Sequence, residues 1–339
     1  MPTSGNLAAI NEPQTSAQQI LSLVASELVL VEAEFARQAR SNIGVIASIN
    51  DYLRASGGKR VRPALTLLAT YAAGGDARQH NAIRMAAVME LLHTATLVHD
   101  DIIDNAETRR SRASVNSRFG NQTAVLMGDW LYMSAFETSL AERSLPILDI
   151  LTSVTRKMTE GELLQLTLLG RLDITENQYF DILRRKTAYL FSACCEIGAI
   201  LGKADEETQR AMRDYGLYLG TAFQLIDDLL DVTASGEELG KAAGVDMLEG
   251  KLTLPLIFML QKDSSMRAAV QTVMSDGEYG AITRSRLLDA VERSGALQRA
   301  RDCAEEYVES ARVALSVLPR SVYSDALKQL ATYVIERDR

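Results

Sequence analysis

The chain has 339 residues and a formal net charge of −8, with 47% hydrophobic and 24% charged residues. That length holds one large core or two domains, and an acidic chain without a basic tail or stripe argues against nucleic acid as a partner. No apolar run reaches the roughly 18 residues that would suggest a transmembrane segment.

From the amino end, residues 1–15 are polar, lack the basic, apolar, small-residue order of a signal peptide, and are expected to be disordered. No later linker divides the chain, so a single domain is expected over 16–339. The six prolines stand at 2, 13, 63, 146, 255 and 319, leaving long stretches in which nothing breaks a helix. Aliphatic residues recur at spacings of three and four, as in Ile83, Ala86, Ala87 and Leu91. Alternating strand patterns are rare, and there is no convincing Asn-Gly or Asp-Gly hairpin. The fold class predicted is all-α. Helices are predicted near 16–40, 42–54, 62–73, 81–104, 122–142, 146–167, 176–203, 206–232, 252–261, 283–294, 297–316 and 322–337. Loops are predicted at 56–59, 74–78, 170–174 and 233–250; the last is long, rich in glycine and charge, and a candidate lid. Cys194, Cys195 and Cys303 lack metal-type spacing, so reduced thiols in a reducing, cytoplasmic compartment are expected.

Two acidic clusters share one pattern. Asp100, Asp101 and Asp104 lie in LVHDDIIDNAETRR, and Asp227, Asp228 and Asp231 lie in FQLIDDLLD. On a helix the first and last Asp of each cluster share a face, where like charges repel unless solvent or a cation takes up the charge. A lone acidic run is usually a solvated face. Here the flanks are apolar, with Leu97, Val98, Ile102 and Ile103 at one cluster and Leu225, Ile226, Leu229 and Leu230 at the other. Carboxylates in such surroundings suit Mg²⁺, which takes one or two of them together with phosphate oxygens and water. Two facing clusters would hold several ions around one diphosphate, as in an enzyme that removes diphosphate from its substrate.

Cations should then surround the diphosphate. Lys59, Arg60 and Arg62 lie in GGKRVRP, a glycine turn opening a helix, where backbone amides favour phosphate. Arg109 and Arg110 follow the first cluster, and His93 lies two helical turns before Asp100. Lys186 and Thr187 interrupt an apolar helix in RRKTAYLF; Gln224 precedes Asp227 by one turn; Lys241 and Lys251 fall in the glycine-rich loop. A solvated basic turn or a core histidine would explain any one of these. Together they exceed the needs of one diphosphate and imply two diphosphate sites.

The order GGKRVRP, HDDIIDNAETRR, GDWLY, RRKTAYLF, FQLIDDLLD and GKAAGVDMLEGKLTLPLI resembles the trans-isoprenyl diphosphate synthases over residues 20–339, most nearly their long-chain, octaprenyl-type members. Ser111 departs from the pattern, which commonly has Gly there. The resemblance implies an all-α bundle around a deep cavity, a homodimer, and condensation of isopentenyl diphosphate with an allylic diphosphate, farnesyl diphosphate being the expected primer. It implies three Mg²⁺ ions on Asp100, Asp101, Asp104, Asp227 and Asp228, with Asp231 as a further ligand. It places Lys59, Arg62, His93 and Arg110 on isopentenyl diphosphate, and Arg109, Lys186, Thr187, Gln224, Lys241 and Lys251 on the allylic diphosphate. Lys186 and Lys241 count among the catalytic groups with the aspartates. In short-chain relatives the positions of Ala95 and Thr96 tend to carry rings that block the cavity. Both are small here, so the product is expected to extend toward Tyr132 or Phe136, to about eight isoprene units, with transient membrane contact for its release. A short-chain synthase, a class I terpene cyclase and a non-catalytic subunit are the alternatives. The full second aspartate triad, the second set of cations and the intact charged motifs weigh against the last two.

Overall fold

The computed structural model describes residues 17–233, 244–280 and 283–336. The expected disordered segment 1–15 and Lys241 lie outside the described residues. In chain order the helices are α1 (Ala17–Ser22), α2 (Ala25–Gln38), α3 (Gly44–Ala55), α4 (Val61–Ala72), α5 (His80–Ile103), α6 (Val115–Phe119), α7 (Asn121–Leu140), α8 (Leu145–Leu168) and α9 (Glu176–Leu183). A π-helical turn (Arg184–Ala188) leads into α10 (Tyr189–Leu201), followed by α11 (Glu206–Thr233), α12 (Val245–Leu248), α13 (Leu254–Lys262), α14 (Arg267–Asp276), α15 (Arg284–Ser294), α16 (Ala296–Ala314) and α17 (Val322–Glu336). The all-α expectation holds.

The prolines sit where helices tolerate them. Pro63, Pro146 and Pro255 all fall in the first turns of α4, α8 and α13, where the missing N–H has no partner to lose. Side-chain caps mark other starts. Ser144 accepts from the Ile147 amide at α8, and Thr175 and Gln178 form a reciprocal capping box at α9. α5 lies at the centre: Met85, Ala86, Ala87, Val88 and Met89 are consecutive and fully buried, so the helix has no solvent stripe along this part. α4 and α10 pack together and α10 rests on α11.

Several boundaries differ from the sequence expectation. The first predicted helix is interrupted at Leu23 and Val24, and helix also occurs in 115–119, 245–248 and 264–276. One small ribbon was missed altogether: Thr108–Arg109 pairs antiparallel with Arg112–Ala113. Its turn residues Arg110 and Ser111 have φ of 53° and 60°. A two-residue hairpin needs positive φ at both positions, which Asn-Gly supplies readily and Arg-Ser does not.

Candidate active site

A cavity of about 1130 Å³ runs between the carboxyl-terminal halves of α5 and α11, walled by α7, α8, α9, the π turn and the segment around 246–253. α5 ends in the first acidic cluster and α11 in the second, so the two face each other across this space. Asp100, Asp227 and Asp228 line it.

The remaining cluster members are placed differently. Asp101 is 2% exposed and accepts from Arg109 Nε at 2.5 Å. Asp104 lies beside Lys251, Nζ to Oδ1 3.6 Å. Asp231 accepts from the Val245 and Asp246 amides at 3.1 and 3.3 Å and lies at a small neighbouring hollow with Tyr279 and Arg284. Asp228 is held on both oxygens: Tyr179 donates to Oδ2 at 2.6 Å and Gln224 Nε2 to Oδ1 at 2.8 Å. Thr187 Oγ1 donates in turn to Gln224 Oε1 at 2.9 Å.

Crowding and burial disturb these acids. Burial, and then the carboxylate of Glu162, push Asp100 up to about 7. Burial and the charge of Asp246 raise Asp228, against the bonds donated by Tyr179 and Gln224; burial and Asp231 raise Asp246. Lys251 is raised because Asp104, Asp246 and Glu249 outweigh its burial. The donors are all carboxylate oxygens, the chemistry a hard cation such as Mg²⁺ takes. Among the described residues, no three His, Cys, Asp or Glu side chains are close enough to hold an ion by themselves. Asp100, Asp227 and Asp228 share the cavity wall, and an ion held by them would take the rest of its shell from diphosphate oxygens and water.

Arg62 and His93 line the cavity together, with Arg62 Nη1 3.0 Å from His93 Nε2. Burial, then Arg62 and Arg110, hold His93 well below the usual imidazole range. The ring is neutral and Nε2 is its acceptor, since a guanidinium can only donate. Arg110 reaches back to the Gly57 carbonyl, and Lys59 is exposed beside it. Neither Lys59 nor Arg110 lines the cavity in this structure. Arg109, Lys186, Thr187, Gln224 and Lys251 also line the cavity, and the charge of Arg109 acts on His93. Lys186 Nζ is engaged by Glu162 Oε1 at 2.8 Å and Gln165 Oε1 at 3.1 Å.

Lys186 and Thr187 are adjacent in sequence, and both reach the cavity from the π turn. It fits closely under α8, where a Cβ on Gly161 would stand 2.7 Å from Arg185 Cβ, so glycine is needed there.

Thr96, Tyr132 and Phe136 line the apolar depth of the cavity; Ala95 is fully buried in the helix packing and does not. Sequence reasoning missed His99, Asp129, Glu162, Gln165, Tyr179 and Asp246, all on the cavity wall. Asp129 and Asp246 lay inside motifs already noted, GDWLY and GVDMLEGK. Glu162 and Gln165, one helical turn apart on α8, carried a weaker signal.

The polyprenyl synthetase family model matches residues 44–284. An octaprenyl diphosphate synthase of Escherichia coli strain K12 is 39% identical over 323 residues, spanning 95% of this chain and 99% of that protein. A decaprenyl diphosphate synthase from Rhodobacter capsulatus superposes with a TM-score of 0.89 at 35% identity, covering 95% of this chain and 99% of the other. A polyprenyl synthase from Caulobacter crescentus CB15, complexed with calcium and isoprenyl diphosphate, gives a TM-score of 0.90 at 34% identity, covering 97% and 100%.

Proposed function

The chain belongs to the polyprenyl synthetase family, and on that premise we propose that it condenses isopentenyl diphosphate repeatedly onto an allylic diphosphate to make a long all-trans polyprenyl diphosphate. The observation that carries this is the single cavity holding two opposed carboxylate groups, cationic side chains and an apolar depth. A cyclase needs one diphosphate site; the Arg62–His93 group supports a second. Octaprenyl is the product favoured, because the Escherichia coli relative is an octaprenyl diphosphate synthase, and farnesyl diphosphate is the primer we favour.

Asp100, Asp104, Asp227 and Asp228 would hold Mg²⁺, three ions when substrate is bound, and Asp101 would act through Arg109. Bound there, the metal would neutralise charge on the departing diphosphate. Arg109, Lys186 and Lys251 add donors to the same oxygens, with Lys186 exchanging Glu162 for phosphate. Thr187 and Gln224 orient that end through their bond to Asp228. Arg62 and His93, with Lys59 and Arg110 at the rim, hold isopentenyl diphosphate so that its double bond faces the allylic carbon. Leu97, Phe223 and Leu190 on the wall exclude water from the cation formed there. The proton lost after bond formation passes to the released diphosphate.

A homodimer is supported by an apolar row on α7: Leu126, Met133 and Leu140 recur every seven residues and are 68%, 61% and 50% exposed. No described helix is long and apolar enough to cross a membrane. All three cysteines are unpaired, which supports a reducing, cytoplasmic setting. The test is turnover of labelled isopentenyl diphosphate with geranyl, farnesyl and geranylgeranyl diphosphate, with and without chelator, products sized by chromatography. Chelator-sensitive formation of a product near eight units is expected. A cyclic hydrocarbon, or a product ending at three or four units, refutes it.

A further inference from the structure

Arg60 shares its motif with Lys59 and Arg62, yet it does not line the cavity. Its backbone is left-handed, φ 49°, at the N-cap of α4, a conformation disfavoured for a residue with a Cβ. Its guanidinium spans two helices, with Nε on Glu32 of α2 and Nη1 on Glu90 of α5 at 2.5 Å. Glu90 is only 6% exposed. Two residues along α4, Arg62 meets His93, three residues along α5. The start of α4 is thus tied to α5 by two rungs, 60 to 90 and 62 to 93. The first rung is a buried ion pair and the second belongs to the cation group of the site.

The N-cap residue sets the direction in which the chain arrives from Lys59 and leaves toward Arg62. On the other side of the turn, Gly58 lies against Arg110, where a Cβ would come within 2.8 Å of Nη1. Lys59, Arg62 and Arg110 therefore take their relative positions from one short turn, and Arg60 holds that turn in a conformation it would otherwise leave. We propose that Arg60 is a positioning residue for the isopentenyl diphosphate site, acting through its bonds to Glu90 and Glu32 and touching no substrate. This rests on the reading that Lys59, Arg62, His93 and Arg110 take that diphosphate.

A pin that served stability alone would move the melting temperature and treat both substrates alike, and a buried ion pair is by itself weak evidence for stability. Two variants separate the cases. Arg60→Lys keeps the charge and loses the fork that reaches both carboxylates. The double variant Arg60→Gln/Glu90→Gln replaces the ion pair with neutral amides; it also removes the Glu90 charge that acts on buried Arg62, so Arg60→Lys, which leaves Glu90 in place, is the deciding variant. In both, KM for isopentenyl diphosphate should rise about tenfold, while KM for farnesyl diphosphate and kcat at saturating substrate stay within about threefold. Arg62→Ala serves as the control for the site itself. Equal rises in both KM values, or no rise in either variant while Arg62→Ala shows one, would overturn the inference and leave the site assignment standing. No rise in Arg62→Ala would overturn the assignment and the inference with it. Should the double variant not fold, the Lys variant carries the same test.

Discussion

Tyr179 Oη donates to Asp228 Oδ2 at 2.6 Å, tying α9 to α11 inside the cavity wall. Asp228 is raised by burial and by Asp246, and this bond is one of two that favour its charged form. Tyr179→Phe leaves a buried acid short of a donor, which costs about 1–3 kcal/mol when the acid is ionised. The loss should be larger at about pH 8 than at about pH 5, where the raised carboxylate is protonated in the native state. Thermal melts of the metal-free protein at both pH values measure it. Equal losses at the two would contradict the role given to the bond.

Asp100 stands near 7 when folded, against about 3.9 in an unfolded chain. Between those values the folded protein keeps a proton that the unfolded chain has lost. Without metal, stability should therefore fall as pH rises through about 4 to 7, and level off above. Asp100→Asn removes the charge. At about pH 8 the metal-free variant should melt above the parent, and at about pH 4 the two should converge. With Mg²⁺ and diphosphate added the order should reverse at high pH, since only the parent gains from the ion. A metal-free variant less stable than the parent at high pH would refute the electrostatic account.

Substitutions at Lys186 and Arg62 should separate the substrates. Lys186→Ala should raise KM for the allylic primer, and Arg62→Ala that for isopentenyl diphosphate. Each loses a charge-assisted bond worth about 1.5–3 kcal/mol, roughly tenfold to hundredfold. Steady-state kinetics with each substrate varied in turn gives the answer. Indifference of the primer to Lys186→Ala would move Lys186 out of that site.

Thr96 and Ala95 should respond differently to a ring. Thr96 is one turn before Asp100 and faces the cavity, whereas Ala95 is fully enclosed. Thr96→Tyr should shorten the product to about four or five units with little change in melting, the ring closing the path one turn of about 5.4 Å below the metal cluster. Ala95→Tyr should overpack the interior and cost about 1–3 kcal/mol. It shortens the product as well only if α5 shifts into the cavity. Product sizing beside melting curves distinguishes them, and unchanged product length in Thr96→Tyr would remove that residue from chain-length control.

Ser111 holds φ 60° in the Arg110–Ser111 turn. Glycine has no penalty there, though it adds entropy to the unfolded chain. Ser111→Gly should raise stability by about 0.5–1 kcal/mol in denaturant titrations. A decrease would show that the Ser side chain stabilises the turn more than its backbone strains it.

Much of the site was legible because charge among apolar neighbours is conspicuous. Of the residues singled out that way, Asp100, Asp227, Asp228, Arg62, His93, Lys186 and Gln224 line the cavity, while Asp101, Asp104 and Asp231 do not; the proline positions and helix spacing gave the fold class. What escaped depended on helix phase and tertiary contact. Sequence spacing groups Asp100 with Asp101, and only packing turns Asp101 inward to Arg109. Lys186 and Thr187 reach the wall from a π turn, which no local feature of RRKTAYLF announces. The ribbon around Arg110 and Ser111 lacks the residues that advertise a hairpin. Tyr179 reads as one more aromatic on an amphipathic helix until Asp228 is seen across from it.

The π turn between α9 and α10 carries one more residue per turn than the helix on either side. It works as a phase joint. The cavity-facing register of Glu176–Leu183 and the packing register of Tyr189–Leu201 are uncoupled, so changes in one helix need not be matched in the other. A single deletion within Arg184–Ala188 would remove the extra residue and close the turn into a continuous α-helix, with the registers on either side little changed. The same deletion inside α9 or α10, with no wide turn to absorb it, would rotate everything beyond it by about 100°. The wide turn thus confines the consequence of a change in length to its own stretch of the wall, where Lys186 and Thr187 stand and where it fits against Gly161.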